Sequence, residues 1–140
     1  MKLKDCDGLT GAKAVWDFTT GDARRFQDRL GLLIHAAKSF REQGIKPDFV
    51  VLLHGPATKF AAKAFTGTKF EGDDASALSS IHEAMNELGS LGGRIEVCGI
   101  AMDRSNVARE QLVPFVEIEE NVFVNSIALQ NRGYAYIPIT

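Results

Sequence analysis

The sequence has little cysteine, no surplus of basic charge and no long apolar run, and each shortage excludes a class of protein. Cys6 and Cys98 are its two cysteines, too few for a disulfide framework or a cysteine-based zinc site. The formal net charge is -2, which does not predict binding to nucleic acid or to an anionic membrane. No apolar run approaches the roughly 20 residues that a membrane span needs. We therefore expect a protein of a reducing, cytoplasmic compartment, with neither nucleic acid nor membrane as its partner.

The start of the chain also lacks the apolar segment of a secretory signal peptide. We expect residues 1–12 to be a flexible lead-in and residues 13–140 to form one domain. Hydrophobic residues make up 45% of the chain and charged residues 24%, a balance that supports a real core.

Segments typical of strands and of helices alternate along this domain. We predict strands near residues 13–18, 48–54, 94–99, 115–118 and 134–138. The continuous apolar run at 49–53 is typical of a strand that is covered on both faces. The alternation therefore predicts a mostly parallel sheet with helices on both faces.

Helix ends are marked by polar residues and glycines. Asp22 is predicted to cap the first helix and Gly44 to end it. Further helix signals are a cap at Asp73 or Asp74, a stop at Gly89, and the apolar Val124, Ile127 and Ala128 of a last helix. The apolar Phe60 and Phe65, with the tail around Tyr134 and Tyr136, suggest more apolar surface than one domain buries. We therefore expect a homo-oligomer.

The carboxyl ends of parallel strands meet at one edge of a sheet, where ligand crevices open. Four polar stretches are expected at this edge: Thr19-Thr20-Gly21, His54-Gly55-Pro56, Cys98-Gly99 and Glu119-Glu120-Asn121. The topology thus places His54 and Cys98 on one rim without defining the distance between them.

Cys98 is the candidate nucleophile. It ends a buried strand, and Gly99 after it removes a side chain that would crowd the sulfur. A short helix is expected to begin at the polar turn of residues 103–106, so that Arg104 and the helix start favour the thiolate. The alternative is a small buried hydrophobe, a common role of free cysteine. Likewise, His54 either pairs with the thiolate or bonds a neighbouring backbone group.

Other motifs predict no cofactor and no metal. His82-Glu83 begins a fragment similar to a zinc-protease helix, but Asn86 stands where the second histidine must be. The loop at Thr19-Thr20-Gly21-Asp22 is weakly similar to a flavodoxin phosphate loop, yet Asp22 has the wrong charge to face a phosphate. An ordinary capped turn accounts for that loop. No G-x-S-x-G elbow supports a serine hydrolase.

Four segments together resemble the DsrE/DsrF-like (YchN-like) family of small sulfur-relay proteins: residues 13–18, 47–57, 96–102 and 127–138. The resemblance implies a three-layer α/β/α domain with a five-stranded parallel sheet, flavodoxin-like in outline. It also implies that Cys98 occupies the position where active members carry a persulfide, and that the protein forms trimers or hexamers. No second cysteine lies near Cys98, which argues against an internal disulfide switch.

Two hypotheses follow. The first is a cytoplasmic sulfur carrier that holds a persulfide on Cys98 and passes it between donor and acceptor proteins. The second is a non-catalytic oligomeric module that binds a small ligand at the same edge of the sheet. For either function, the candidate pocket residues around Cys98 are Thr19, Thr20, Gly21, His54, Gly55, Gly99, Arg104 and Asn106.

Overall fold

The structure is a computed structural model that describes residues 3–140, and a parallel sheet runs through its centre. Within the described residues the sheet has five strands in the order β4-β3-β2-β1-β5, each parallel to its neighbours. The strands are β1 Gly11–Phe18, β2 Lys46–Leu53, β3 Arg94–Cys98, β4 Val116–Glu119 and β5 Ala135–Ile139. The predicted α/β fold with a parallel five-stranded sheet is confirmed, although β1 begins two residues before its predicted start.

Helices connect the strands. The described residues contain the α-helices α1 Ala23–Glu42, α2 Leu78–Ser90, α3 Gly99–Ser105 and α4 Val122–Asn131. They also contain short 3-10 helices at Lys4–Cys6, Gly55–Ala61 and Arg109–Gln111. None of the helices within residues 3–140 is long and apolar enough to cross a membrane.

The larger part of the core lies on the face of the sheet that α1 and α2 cover. The rings of Phe18 and Phe26 are 4.8 Å apart, and those of Phe26 and Phe60 are 4.2 Å apart. Such ring pairs contribute about 0.5–1.5 kcal/mol each beyond their buried area. Phe60 and Phe65 are buried within this core, so these two residues do not provide the exposed surface from which we expected an oligomer.

The opposite face carries a smaller core under α4, and Cys98 belongs to it. Val15, Val50 and Leu52 from the central strands pack there with residues of α4. The predicted last helix is present, but the apolar residues that suggested it, Val124, Ile127 and Ala128, lie on its exposed side. Its buried residues are Val122, Ser126 and Leu129.

The ends of α1 follow the prediction. The Asp22 carboxylate accepts a hydrogen bond from the Arg25 amide at 3.0 Å, which satisfies a donor that the helix leaves unpaired. At the other end Gly44 has φ +74°, and the Ile45 amide donates to the Phe40 carbonyl at 2.9 Å. This is a Schellman motif, in which a glycine adopts the left-handed conformation after the helix.

The predicted ends of α2 were wrong. Asp74 accepts a hydrogen bond from the Ser76 amide at 2.9 Å, a local turn that competes with helix capping. The N-cap is Ala77, which makes no side-chain capping bond. The helix also continues through Gly89 and is followed by Gly92 at φ +88°, so the left-handed glycine lies three residues later than predicted.

Candidate functional site

Cys98 lies where β3 ends and α3 begins. It is the last residue of the strand and the N-cap of the helix, so the expected helix start at residues 103–106 was wrong: that stretch contains the end of α3. The residue is only 6% exposed and belongs to the apolar cluster beneath α4. It nevertheless lines a cavity of about 490 Å³.

The cavity at Cys98, called the thiol pocket below, opens at the carboxyl edge of the sheet. Apolar side chains form part of its wall, among them Ile100 and Phe123. Lys69 and Arg104 add two exposed positive charges. The complete lining is His54, Gly55, Pro56, Lys69, Phe70, Cys98, Ile100, Ala101, Arg104, Ser105, Asn121 and Phe123. The pocket thus combines a thiol, basic groups and an apolar wall, a combination suited to a small anionic reactant.

A chain of hydrogen bonds orients His54 in this pocket. His54 Nε2 lies 2.5 Å from Asp17 Oδ1, and the Tyr136 hydroxyl donates to Asp17 Oδ2, also at 2.5 Å. Asp17, His54 and Tyr136 come from or directly follow three adjacent strands. The His54 ring also meets Phe123 edge-on, with centroids 5.5 Å apart. With Nε2 bonded to the carboxylate, Nδ1 is the ring nitrogen that can exchange a proton elsewhere.

The environment of Asp17 favours its ionised form. Burial alone would raise the pKa of Asp17, but hydrogen bonds from His54 and Tyr136 and the charge of His54 outweigh burial and lower the pKa. The hydrogen bond between Tyr136 and Asp17, together with burial and the Asp17 charge, raises the pKa of Tyr136 to about 12. Asp17 is therefore an ionised acceptor, and it keeps the Tyr136 hydroxyl protonated.

The structure brings some of the expected pocket residues together and separates others. His54, Gly55, Cys98 and Arg104 line the thiol pocket, whereas five others do not: Thr19, Thr20, Gly21, Gly99 and Asn106. The Thr19 and Thr20 amides donate to the Ile139 carbonyl at 2.9 and 3.4 Å, which ties this loop to the end of β5.

The glycines and Asn106 have packing roles instead. A Cβ on Gly21 would lie 2.7 Å from Pro56 Cβ, so the loop needs a glycine for close approach. A Cβ on Gly99 would lie 3.3 Å from the Glu119 carbonyl oxygen. The absence of a side chain at Gly99 therefore makes room for the backbone at the end of β4, and not for the sulfur of Cys98. Asn106 ends α3 at φ +54°, and its side chain donates to the Gly67 carbonyl at 2.9 Å.

Several residues of the site were not anticipated from the sequence: Asp17, Lys69, Phe70, Phe123 and Tyr136. Asp17 did carry a signal, because it is the one acid within the apolar strand at residues 14–18. An acid on such a strand implies a partner.

His82 lies outside the thiol pocket and contacts the Phe60 carbonyl at 3.0 Å through Nε2. Burial lowers the pKa of His82 despite that bond.

Comparison with known proteins gives one family. The profile of the DsrE/DsrF-like family matches residues 13–139. An uncharacterized protein of Aquifex aeolicus is 29% identical over 127 residues, which cover 90% of this chain and 55% of that protein. The chain thus spans about half the length of this curated relative.

Solved structures share the fold. A protein of unknown function, MTH1491 from Methanobacterium thermoautotrophicum, has a TM-score of 0.66 at 16% identity, covering 91% of this chain and 98% of its own. The ychN protein of E. coli has a TM-score of 0.61 at 13% identity, with 90% and 98% covered. BT1422 from Bacteroides thetaiotaomicron has a TM-score of 0.60 at 15% identity, with 91% and 95% covered.

Proposed function

The chain belongs to the DsrE/DsrF-like family, and from that premise we propose that it is a cytoplasmic sulfur carrier that holds a persulfide on Cys98. The observation that carries the proposal is the position of Cys98 at the end of β3. There it lines the thiol pocket beside a histidine whose other ring nitrogen is bonded to Asp17. The family alone supports only sulfur-relay chemistry in general, whereas a thiol and a histidine in one cavity support persulfide carrying on Cys98.

The proposed transfer is a thiol–persulfide exchange. The Cys98 thiol loses its proton to His54 or to water, and the thiolate attacks the outer sulfur of a persulfide on a donor protein. A new S–S bond forms on Cys98 while the S–S bond of the donor breaks. The donor leaves as a thiolate and takes up a proton. One sulfur atom moves without an external oxidant, and the reverse exchange with an acceptor thiol unloads Cys98.

The walls of the pocket support this exchange. Lys69 and Arg104 favour the approach of an anionic persulfide, because positive charges along a cleft attract anions and raise their local concentration. The apolar Ile100 and Phe123 limit water beside the loaded sulfur. Only the persulfide-bearing side chain of the donor needs to enter, so the low exposure of Cys98 is compatible with transfer through the cavity of about 490 Å³.

Mass spectrometry after incubation with a persulfide donor tests the proposal. The intact chain should gain one sulfur atom, and peptide mapping should place it on Cys98. Cys98→Ser should abolish this gain while leaving the melting temperature nearly unchanged. Cys6→Ser is the matched control, since Cys6 lies in the 3-10 helix Lys4–Cys6 away from the thiol pocket, and it should load like the parent.

Loading of Cys98→Ser at the parental level would refute the carrier function. So would a loss of several degrees in melting temperature in that variant while sulfur loading continues elsewhere, because Cys98 would then be a core residue. Iodoacetamide gives a second measure: Cys98 should react in the folded protein. Reaction after denaturation alone would contradict an accessible thiol.

We also propose that the chain forms a homo-oligomer through α4, most simply a trimer or hexamer. Phe123, Val124 and Ile127 are about 60% exposed on this helix (61%, 63% and 61%). Adjacent exposed apolar residues of this kind are typical of an interface. Because Phe123 also lines the thiol pocket, a second copy seated there would enclose the cavity further. Light scattering should report an oligomer for the parent. The double variant Phe123→Ser, Ile127→Ser should be monomeric. A monomeric parent at high micromolar concentration would contradict the proposal.

The second candidate function is a module that binds a small ligand without transferring sulfur. The near-complete burial of Cys98, at 6% exposure, favours this alternative. The positively charged side chains of Lys69 and Arg104, which line the pocket, also favour it. A module of this kind would bind an anion in the thiol pocket equally well in the parent and in Cys98→Ser, and neither would gain sulfur. The loading experiment therefore separates the two functions.

A further inference from the structure

Three glutamates converge on the α4 side of the sheet, at its β4 edge. Glu96 of β3 pairs in register with Glu117 of β4, and Glu119 follows two residues later. Because side chains alternate along a strand, all three lie on the face that also carries Cys98. One carboxylate oxygen from each lies within 4.8 Å of the others. Three formal negative charges are therefore held together by two paired strands.

Glu96 is the unusual member of the group because it is almost fully buried. It is 3% exposed. Its Oε2 accepts a hydrogen bond from Arg94 Nε at 3.2 Å. Its Oε1 is buried and has no hydrogen-bond partner within residues 3–140. Buried carboxylates are normally paired or bound to a metal, since an unpaired one loses its hydration without compensation.

The surroundings make the missing partner more significant. Burial raises the pKa of Glu96, and the charges of Glu119 and Glu117 raise it further, against the opposing effect of Arg94. Arg94 is a partner on one side only, and its side chain is 44% exposed. The remaining oxygens of the group thus present uncompensated negative charge at an edge strand, where Glu117 is open to water.

We propose that Glu96, Glu117 and Glu119 bind one divalent cation of the hard, oxygen-preferring class, such as Mg²⁺, Mn²⁺ or Ca²⁺. Carboxylate oxygens are the ligands that these cations prefer, and a set without histidine or thiolate does not favour Zn²⁺. The spacing of the three oxygens is compatible with one ion between them, at about 2.0–2.6 Å from each. Glu96 supplies the rigid ligand, the two glutamates of β4 complete the protein share, and water occupies the open side. The proposal does not rest on sulfur transfer, although Glu119 is the register partner of Cys98 on the neighbouring strand.

The experiment uses the full chain after treatment with a chelator and removal of that chelator. Mn²⁺ alone is titrated, with bound ion followed by electron paramagnetic resonance, and Mg²⁺ and Ca²⁺ are then added as competitors. We expect one Mn²⁺ per chain, competition by at least one of the other two cations, and a rise in melting temperature on binding. Glu96→Gln and Glu119→Gln should each weaken binding roughly tenfold or more, because affinity in oxygen-ligand sites follows ligand charge. Glu120→Gln, next in sequence but outside the group, is the matched control and should bind like the parent.

The variants also separate a lost ligand from a lost fold. Without added cation, Glu96→Gln should melt at or above the temperature of the parent, because it removes a buried charge that lacks a full partner. Weaker Mn²⁺ binding in a variant of undiminished stability therefore reports the site itself. Failure of the parent to bind Mn²⁺ up to millimolar concentration would overturn the proposal, and Glu96 would then be neutral or paired by another copy of the chain. Equal binding by the parent and Glu96→Gln would also overturn it.

Discussion

Asp17 should control the ionisation of Tyr136, and the substitution Asp17→Asn measures that control directly. In the parent, the hydrogen bond to Asp17, burial and the Asp17 charge raise the pKa of Tyr136 from 10.0 to about 12. Asparagine keeps the size of the side chain but removes its charge. We therefore expect the pKa of Tyr136 to fall toward 10 in Asp17→Asn, because the phenolate is then no longer repelled.

The energetic size of this effect is limited by exposure. A change of two in pKa corresponds to ~2.7 kcal/mol for a fully shielded group. Tyr136 is 43% exposed, so solvent screening should reduce its contribution to the free energy of unfolding to about 1 kcal/mol or less. Its pKa is higher in the folded than in the unfolded chain. The contribution is therefore complete below pH 10 and is lost as the pH rises toward 12.

Ultraviolet absorbance of tyrosinate provides the assay. Burial raises the pKa of Tyr134 as well, reinforced by its bond to Asp48, so the titration is best run in a Tyr134→Phe background that leaves Tyr136 as the single tyrosine. The Asp17→Asn curve should then shift to lower pH, and Asp48→Asn is the matched control that should leave Tyr136 in place. An unchanged midpoint in Asp17→Asn would refute the idea that the Asp17 carboxylate raises the pKa of Tyr136.

Three further predictions concern stability. Gly21→Ala should lower the melting temperature because its Cβ would lie 2.7 Å from Pro56 Cβ. Gly31→Ala, with nothing within 4 Å of its Cβ, should instead stabilise the protein by about 0.5–1 kcal/mol, because alanine favours a helix over glycine. Equal shifts in melting temperature in the two variants would contradict the close packing of Gly21 against Pro56. Phe60→Ala should cost roughly 3–5 kcal/mol in chemical denaturation, and a loss below 1 kcal/mol would mean that the aromatic stack is not tightly packed. Burial lowers the pKa of His82 below 6.5, so the parent should lose stability relative to His82→Gln as the pH falls from 6.5 through the folded-state pKa. A constant difference across that range would exclude the buried neutral form.

The strands could be predicted because their signals are local. The unbroken apolar run at residues 49–53 needs cover on both faces, and a parallel sheet is the arrangement that provides it. Once the strands were parallel, the shared edge of His54 and Cys98 followed from topology. The start of α3 was missed because the apolar residues after Gly99 continue the strand pattern without a break. The close approach of the Glu119 carbonyl, 3.3 Å from where a Cβ on Gly99 would lie, depends on a distant segment and leaves no local signal.

The polar part of the site could not be predicted because its partners are far apart in sequence. Asp17 meets His54 across 37 residues and Tyr136 across 119, and no local pattern selects one partner over another. The carboxylates of β3 and β4 pose the same problem, since their convergence depends on the register of two strands. Periodicity indicates which face a residue occupies, but not which residue lies beside it on the next strand.

The order of the strands has a consequence for when the site is completed during synthesis. β1 precedes the other four described strands in sequence, yet one of its two neighbours in the sheet is β5, which follows all of them. Asp17 is thus made 119 residues before Tyr136, and a nascent chain that already contains Cys98 and His54 still has an unpaired edge beside β1. A chain cut before residue 135 keeps the cysteine but loses the strand that supports its histidine. The Asp17–His54 pair is therefore fully supported only after β5 has joined the sheet.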